Sequence, residues 1–354
     1  MLSVVTYTYN DHGFALETLR RLERHQAVVG QVVVVDDGSA EPFAAPRGPL
    51  SGRLTVARHP ANQGPGLAKR TGLALASGPL ILSVDSDIEW DALWFYSALE
   101  RVREPDVGIV GAPIVEKNHG DSLSAALHFA SLARLGQARD AGFARGGIWL
   151  TRKDVLDAVG GLGDYGRATH EDWHLCRKVR ERGLRVVVND RGTVLQTRRI
   201  GRSQCVRRDA LYLADGYAGL IAREEPAALL SVLTLELEEA LAVAQKGDCP
   251  LLVYLKIATC AAVFARWEGR FGGHGVAAAV AEAFAPYPEI VRAVVADCGL
   301  SLPAAGQEPG ALAEIFRYVA EIVGQARLRR LDDAVLPQAL AEEAAGRRDF
   351  HFMD

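Results

Sequence analysis

The sequence predicts an α/β protein: a mostly parallel sheet followed by a small all-helical C-terminal domain. Three observations carry this. Short β-branched runs alternate with amphipathic stretches through the first two-thirds of the chain, the pattern of a parallel sheet with helices on both faces. After about residue 223 no strand-like run appears, and Ala/Leu-rich segments take over. The length of 354 residues suits about two domains at roughly 150 residues each. The boundary is set at 222/223, giving domains 1–222 and 223–354.

Strands are expected at 3–7, 31–35, 54–58, 80–84, 108–112 and 185–188, each a run of β-branched or apolar residues. Between the first two lies 14–24, where Leu16, Leu19 and Leu22 form a helical stripe, and 67–76 is a second helix. In the C-terminal region Pro226 and Pro250 suit first helical turns. Helices are expected over 226–245, 250–267, 274–285, 288–298, 309–331 and 335–345.

Composition excludes several classes. Apolar residues at 49% and charged residues at 24% describe an ordinary folded chain. Lys+Arg 40 against Asp+Glu 44 argues against a nucleic-acid partner. The five cysteines include no C-x-x-C pair, against a zinc ribbon, and their odd number opposes a disulfide framework. Cys176 and Cys205 read as buried thiols. His12, His119, His128 and His274 are scattered without zinc spacing. The chain opens directly on the strand-like VVTYTYN, and the longest apolar candidate, 251–265, carries Lys256. That segment falls short of the roughly 20 residues of a spanning helix, so no transmembrane segment and a cytoplasmic location are expected.

Ligands bind beyond the carboxyl ends of strands in such sheets, and chemically unusual residues fall there. Asp36-Asp37-Gly38-Ser39 follows the second strand. Its carboxylates suit either a nucleobase or ribose contact, or a simple turn in which Asp caps and Gly supplies positive φ. Asp85-Ser86-Asp87 follows the fourth strand. Carboxylates so close to a buried strand need neutralising, as a divalent cation bridging to a diphosphate would do. Asn62-Gln63-Gly64-Pro65-Gly66 leads into a helix bearing Lys69 and Arg70, either a phosphate cradle or a glycine loop with a surface lysine. Arg145-Gly146-Gly147 precedes His170-Glu171-Asp172-Trp173. There the acids either complement a helix dipole or supply a general base. Trp90, Trp94 and Trp149 read first as core residues, with Trp149 and Trp173 the two tryptophans best placed for a ligand ring. Residues 145–208 hold fifteen Arg/Lys against seven Asp/Glu, a balance that suits an anionic substrate.

Taken in order, VVTYTYND, VVVVDDGS, NQGPGLAKRTGLALASG, LILSVDSD and RGG…VGGLGDYG…HEDWHLCRKVRERG resemble the family-2 glycosyltransferases of glycosyltransferase-A fold, over roughly residues 2–205. The resemblance implies an inverting enzyme that takes sugar from a nucleotide-diphosphate donor with Mn²⁺ or Mg²⁺. By position it implies that Tyr7, Thr8 and Tyr9 line a nucleobase pocket and that Asp37 accepts from the base. Asn62 and Lys69 fall to the donor's diphosphate side, Asp85 and Ser86 near the ribose, and Asp87, with Asp85, at the metal. Gly146 and Gly147 let backbone approach the sugar, and Asp172 deprotonates the acceptor, with Glu171 the second candidate.

The chain departs from the family pattern at three places. Tyr7 stands where a Pro is usual, Arg70 where an Asn is usual, and Val194–Arg199 holds no His at the place many members use for a metal ligand. Arg198 or Arg199 is the substitute source of charge for the diphosphate. Neither a Q-x-x-R-W motif nor membrane helices appear, favouring a single transfer. Two other readings are a catalytically degenerate scaffold and a sugar nucleotidyltransferase; the latter wants a glycine-rich basic loop after the first strand, and TYTYND is not one. Asp37 favours UDP or dTDP slightly over GDP. The acceptor stays open among small-molecule, lipid-linked and peptide classes, and the Ala-rich helices also suit a homodimer.

Overall fold

The computed structural model describes residues 1–118, 120–135, 142–167, 169–216, 226–266, 275–301 and 312–345. His119, His274 and the expected boundary at 222/223 lie outside these. The chain divides into two compact units, one built on Met1–Lys117 and Ser131–Arg198, the other on Asn118–Ala130 and the described residues from Arg199 to Ala345.

The first unit begins β1 (Leu2–Thr8), α1 (His12–Glu23), β2 (Val29–Asp36), β3 (Leu54–Arg58), α2 (Pro65–Leu75), β4 (Leu80–Val84), β5 (Ile88–Trp90) and α3 (Ala92–Arg101). Next come β6 (Val107–Gly111), β7 (Ile114–Glu116) and α4 (Ser122–Leu135). Leu123, Ala126 and Ala130 of α4 lie in the core of the second unit. Then follow β8 (Ile148–Arg152), α5 (Lys153–Ala158), α6 (Glu171–Glu181), β9 (Arg185–Val188) and β10 (Val194–Gln196). Seven strands form one sheet in the order β3-β2-β1-β4-β8-β6-β9, and β5-β10-β7 form a small second sheet. All six expected strands are present. The neighbours β1/β2, β1/β4, β2/β3 and β6/β9 are parallel, while β8 runs antiparallel to both β4 and β6.

The period of two in a strand sends successive side chains to opposite faces, and here both faces are buried. Val32 and Val34 pack with Leu2, Val4, Leu19 and Leu22 on one side. Val33 and Val35 pack with Val5, Ala68 and Leu73 on the other. Burial of each such side chain is worth about 1.5–3 kcal/mol. Helix α2 lies close to the sheet because of Gly72, where a Cβ would stand 2.3 Å from Val5 Cγ1. Trp149 is buried at 2% exposure in the second of these clusters, so it is a core residue and not a sugar platform. Asp91 caps α3 by accepting from the Trp94 amide at 2.7 Å.

The second unit is helical. It contains α7 (Arg202–Gly216), α8 (Pro226–Gly247), α9 (Leu251–Arg266), α10 (Val276–Ala283) and α11 (Pro288–Asp297). After these come α12 (Leu312–Val323), α13 (Gln325–Arg330) and, beyond a π-helical turn, α14 (Leu336–Ala345). The expected helix at 309–331 is broken at Gly324, whose φ of +82° is left-handed. Helix α9 is buried along nearly its whole length. A buried ion pair ties this unit together: Arg202 Nε donates to Asp297 Oδ2 at 2.7 Å, and the Tyr254 hydroxyl donates to the same carboxylate at 2.7 Å. No helix among the described residues is long and apolar enough to cross a membrane. Cys176, Cys205, Cys249, Cys260 and Cys298 are all free thiols, the first two buried as expected.

Candidate active site

Parallel pairing carries the ends of β1 and β2 to one level, Tyr7 opposite Val35 and Thr8 opposite Asp36. The loop beyond is locked by Asn10, at a φ of +51°. Its amide donates to Ser39 Oγ, and its side-chain oxygen accepts from Ala40 N. Asp36 is fully buried; burial would raise its carboxyl, but donors from Phe43, Ser39 and Arg58 outweigh that and hold it below the usual range. Asp37, expected to accept from the base, is engaged within the chain. It is 2% exposed, and its oxygens accept from His59 Nδ1 (2.6 Å), Gln63 N (3.0 Å) and Gly64 N (2.8 Å). Of the two readings of Asp36-Asp37-Gly38-Ser39, the geometry favours the turn: Asp37 fastens the Asn62–Gly66 loop. Asn62 has a local task as well, accepting from Gly64 N at 2.9 Å. The preference for uracil or thymine rested on Asp37 and loses that support.

Lys69, expected to face the diphosphate, is engaged by three groups of the chain itself. It is 3% exposed on α2, with Nζ 2.6 Å from Glu171 Oε1, 2.9 Å from the Gly146 carbonyl oxygen and 3.0 Å from Asp85 Oδ1. These three partners match the three donors of an ammonium. Burial works against its charge, but Asp85 and Glu171 dominate and hold its pKa well above the ordinary value. The Tyr7 ring centroid lies 5.6 Å from this nitrogen. Lys69 therefore ties together α2, the end of β4, the approach to β8 and α6.

Asp85, Ser86 and Asp87 follow β4. The Asp85 amide donates to the Gly147 carbonyl at 2.8 Å, and the Ser86 carbonyl accepts from Thr18 Oγ1 at 2.9 Å. Burial, with Asp87 nearby, pushes the Asp85 carboxyl up to about 7 despite Lys69. Asp87 Oδ2 accepts from Arg198 Nε at 3.0 Å and Gln196 Nε2 at 3.3 Å. The Asp87 carbonyl is held by both the amide and the hydroxyl of Thr197 at 2.9 Å. Arg198 also pairs with Asp11 at the start of α1.

Beyond the sheet, α6 presents Glu171 and Asp172 in its first turn, after His170 in left-handed backbone at a φ of +66°. Glu171 is 5% exposed and ion-paired with Lys69. Asp172 is half-buried. Its Oδ2 accepts from Gly146 N at 2.7 Å and its Oδ1 from Trp173 N at 2.7 Å. Burial, then the neighbouring Glu171, pushes its carboxyl up to about 6, against the pull of Lys69 and the two amides. Gly146 has to be glycine: a Cβ there would meet Glu171 Oε1 at 2.9 Å, Lys69 Nζ at 3.0 Å and Asp172 Oδ2 at 3.1 Å. At Gly147 a Cβ would stand 2.6 Å from Ile114 Cδ1. Trp173, beside Asp172, is 56% exposed.

Asp11, Asp85, Asp87, Glu171 and Asp172 thus surround the two cations Lys69 and Arg198. Among the described residues no group of three His, Cys, Asp or Glu is arranged to hold a metal ion. Two carboxylates, Asp85 and Asp87, suffice for a magnesium-type ion whose remaining ligands are substrate phosphates and water. The Asp85 carboxyl is raised chiefly by burial, although Lys69 stands 3.0 Å from it. The residues fit a cation that arrives with a diphosphate, and not a closed all-protein cage.

Sequence reasoning missed Asp11, His59, Gln196 and Thr197. Only the Asp before the first helix carried a local signal, that of a cap.

Residues 3–160 match the family model described as glycosyl transferase family 2. Two curated sequences from Mycobacterium tuberculosis strains, each named pre-mycofactocin glycosyltransferase, are 30% identical over 210 residues, covering 55% of this chain. The chain spans 43% of the length of those relatives. Among solved structures, a mannosyltransferase from Pyrobaculum calidifontis, in complex with GDP-Man and Mn²⁺, is 18% identical. It covers 97% of this chain and 86% of its own, with a TM-score of 0.46. S. aureus TarS 1-349 is 18% identical, covering 90% of both chains, with a TM-score of 0.42. The span matched by that family model, residues 3–160, carries the strands β1 to β8 and the Asp85-Ser86-Asp87 and Gly146-Gly147 residues described above.

Proposed function

We propose that this chain is an inverting glycosyltransferase that moves a single sugar from a nucleotide-diphosphate sugar to an acceptor hydroxyl, with Asp172 as general base. The observation that carries this is Asp172 itself. It is half-buried, aimed by two backbone amides, and its carboxyl is raised to about 6. A base is most effective when its pKa lies near the working pH. Ionised above that value, Asp172 takes the acceptor proton as the acceptor oxygen attacks the anomeric carbon and the nucleoside diphosphate departs. Glu171 is the weaker candidate, because Lys69 holds it in a buried ion pair.

The remaining residues divide between positioning and charge. Lys69 holds Glu171 and Asp85 apart as separate carboxylates and fixes the Gly146 carbonyl, so that the Gly146 amide faces Asp172. Tyr7, Thr8 and Tyr9 border the nucleotide end from β1, and Arg198 offers a guanidinium to the diphosphate. A divalent cation, Mn²⁺ or Mg²⁺, held by Asp85 and Asp87 would supply positive charge to the leaving diphosphate. A cytoplasmic pool of nucleotide sugars would suit such an enzyme. The name of the two relatives makes pre-mycofactocin the first acceptor to try.

The test is donor turnover with UDP-, dTDP- and GDP-sugars, with the anomeric configuration of the product read by NMR. Asp172→Asn should lower kcat by about 10²–10⁴-fold, the usual share of general-base help, with donor binding kept. Glu171→Gln should lower it less. An Asp172→Asn enzyme as active as the wild type, or a product of retained configuration, would overturn the reading.

A further inference from the structure

The D-x-D carboxylate expected to meet a cation is already engaged by one. Arg198 is 9% exposed in its side chain, and its Nε donates to Asp87 Oδ2 at 3.0 Å. The same guanidinium pairs with Asp11 and lies 4.6 Å from the centroid of the Phe14 ring. Gln196 also donates to the same Oδ2, and Thr197 fixes the Asp87 backbone by holding its carbonyl twice. Arg198, by contrast, has a second resting place, because Asp11 and the Phe14 face both belong to the start of α1.

We propose that Arg198 is the resident counter-ion of Asp87, and that a cation brought by the donor displaces it from that carboxylate and frees it for the diphosphate. This rests on the D-x-D reading given above. A divalent ion and a guanidinium repel one another and compete for one oxygen. On losing Asp87, Arg198 keeps Asp11 and the cation–π contact with Phe14. Its planar fork then turns to phosphate oxygens, a geometry that guanidinium matches with paired hydrogen bonds. The exchange makes cation binding and donor binding cooperative, although the cation alone has to work against the arginine.

The test uses the full chain with Mn²⁺ alone, and with UDP and GDP in the absence and presence of Mn²⁺, by titration calorimetry. Arg198→Gln should bind Mn²⁺ about fivefold or more tightly, the low end of ordinary site-to-site coupling, and should bind nucleotide at saturating Mn²⁺ about fivefold or more weakly. A merely structural arginine would move both ligands the same way. Unchanged or weaker Mn²⁺ binding by a folded Arg198→Gln chain overturns the proposal. The second readout is the Nε–H resonance of Arg198 in ¹⁵N-arginine-labelled wild type, assigned by its loss in Arg198→Lys. It should shift when Mg²⁺ is added, and a resonance that stays fixed at saturating Mg²⁺ overturns the proposal even where Arg198→Gln does not fold. Wild type that binds neither ion nor nucleotide overturns the D-x-D reading as well, whereas normal wild-type binding with a fixed resonance overturns only the exchange.

Discussion

Replacing Lys69 by Met tests the tie at the centre of the site. The substitution keeps much of the aliphatic volume and removes the ammonium that joins Glu171, Asp85 and the Gly146 carbonyl. Removing one partner of a buried pair usually costs about 3–5 kcal/mol. Lys69 and Glu171 are 3% and 7% exposed in their side chains, which places their pair in that class, while Asp85 at 23% contributes less. At about 2–4 °C per kcal/mol for a domain of this size, Tm should fall by on the order of 10 °C. The loss should depend on pH. Lys69 pulls both Asp85 and Asp172 downward, so without it both carboxyls rise further in the folded chain. The folded state then holds more protons than the unfolded one, and stability falls as pH rises through and above about 6 to 7. The deficit should therefore be smallest near pH 5 and largest near pH 8. Calorimetric melting of Lys69→Met, Glu171→Gln and the double variant at both pH values is the assay. The double variant should recover part of the loss through a coupling of about 0.5–3 kcal/mol. Wild-type melting by Lys69→Met, or a deficit that shrinks as pH rises, would refute the account of this cluster.

Other perturbations separate the roles further. The acid limb of the kcat/KM profile should follow ionisation of Asp172, with activity rising as pH passes about 6; a limb that persists in Asp172→Asn would assign it elsewhere. Gly146→Ala should destabilise by about 1–3 kcal/mol through overpacking and lower activity, because its Cβ would press on Glu171, Lys69 and Asp172. Asp37→Asn should cost about 1–3 kcal/mol as donors in the Gln63–Gly64 turn and His59 lose a charged acceptor, and it should weaken UDP, dTDP and GDP alike. Selective loss of the uracil and thymine nucleotides would restore Asp37 to base recognition. Arg202→Met should destabilise the helical unit by about 3–5 kcal/mol, since it strands the buried Asp297, and calorimetry should show donor affinity unchanged.

The fold was legible where burial on both faces writes itself into composition. Val32 to Val35 read as an interior strand, and all six expected runs are in the sheet, although Leu54–Arg58 lies at its edge with no residue fully buried. The strand β8 is hard to see in sequence because its five residues follow directly on the double glycine. β5, β7 and β10 have three residues each, too few to display a period of two. At the site, residue types and positions were readable while orientations were not. A carboxylate past a strand end looks the same in sequence whether it faces a ligand or, like Asp37, folds back onto a turn. Pairings such as Lys69 with Glu171 and Arg198 with Asp87, 102 and 111 residues apart in sequence, leave no local trace. Asp172 was legible because its position follows from a helix start.

The reversed direction of β8 has a consequence for how this scaffold can change. The parallel strands β1, β2 and β4 deliver their site residues as the chain leaves the sheet, so extending those loops disturbs the elements that follow, α1, β3 and β5. The chain at Gly146 and Gly147 is instead on its way in. Residues added ahead of Arg145 would lengthen the approach to Asp172, leaving each parallel register as it is. The surroundings of that carboxylate can thus change by insertion while the ends of the parallel strands stay under constraint.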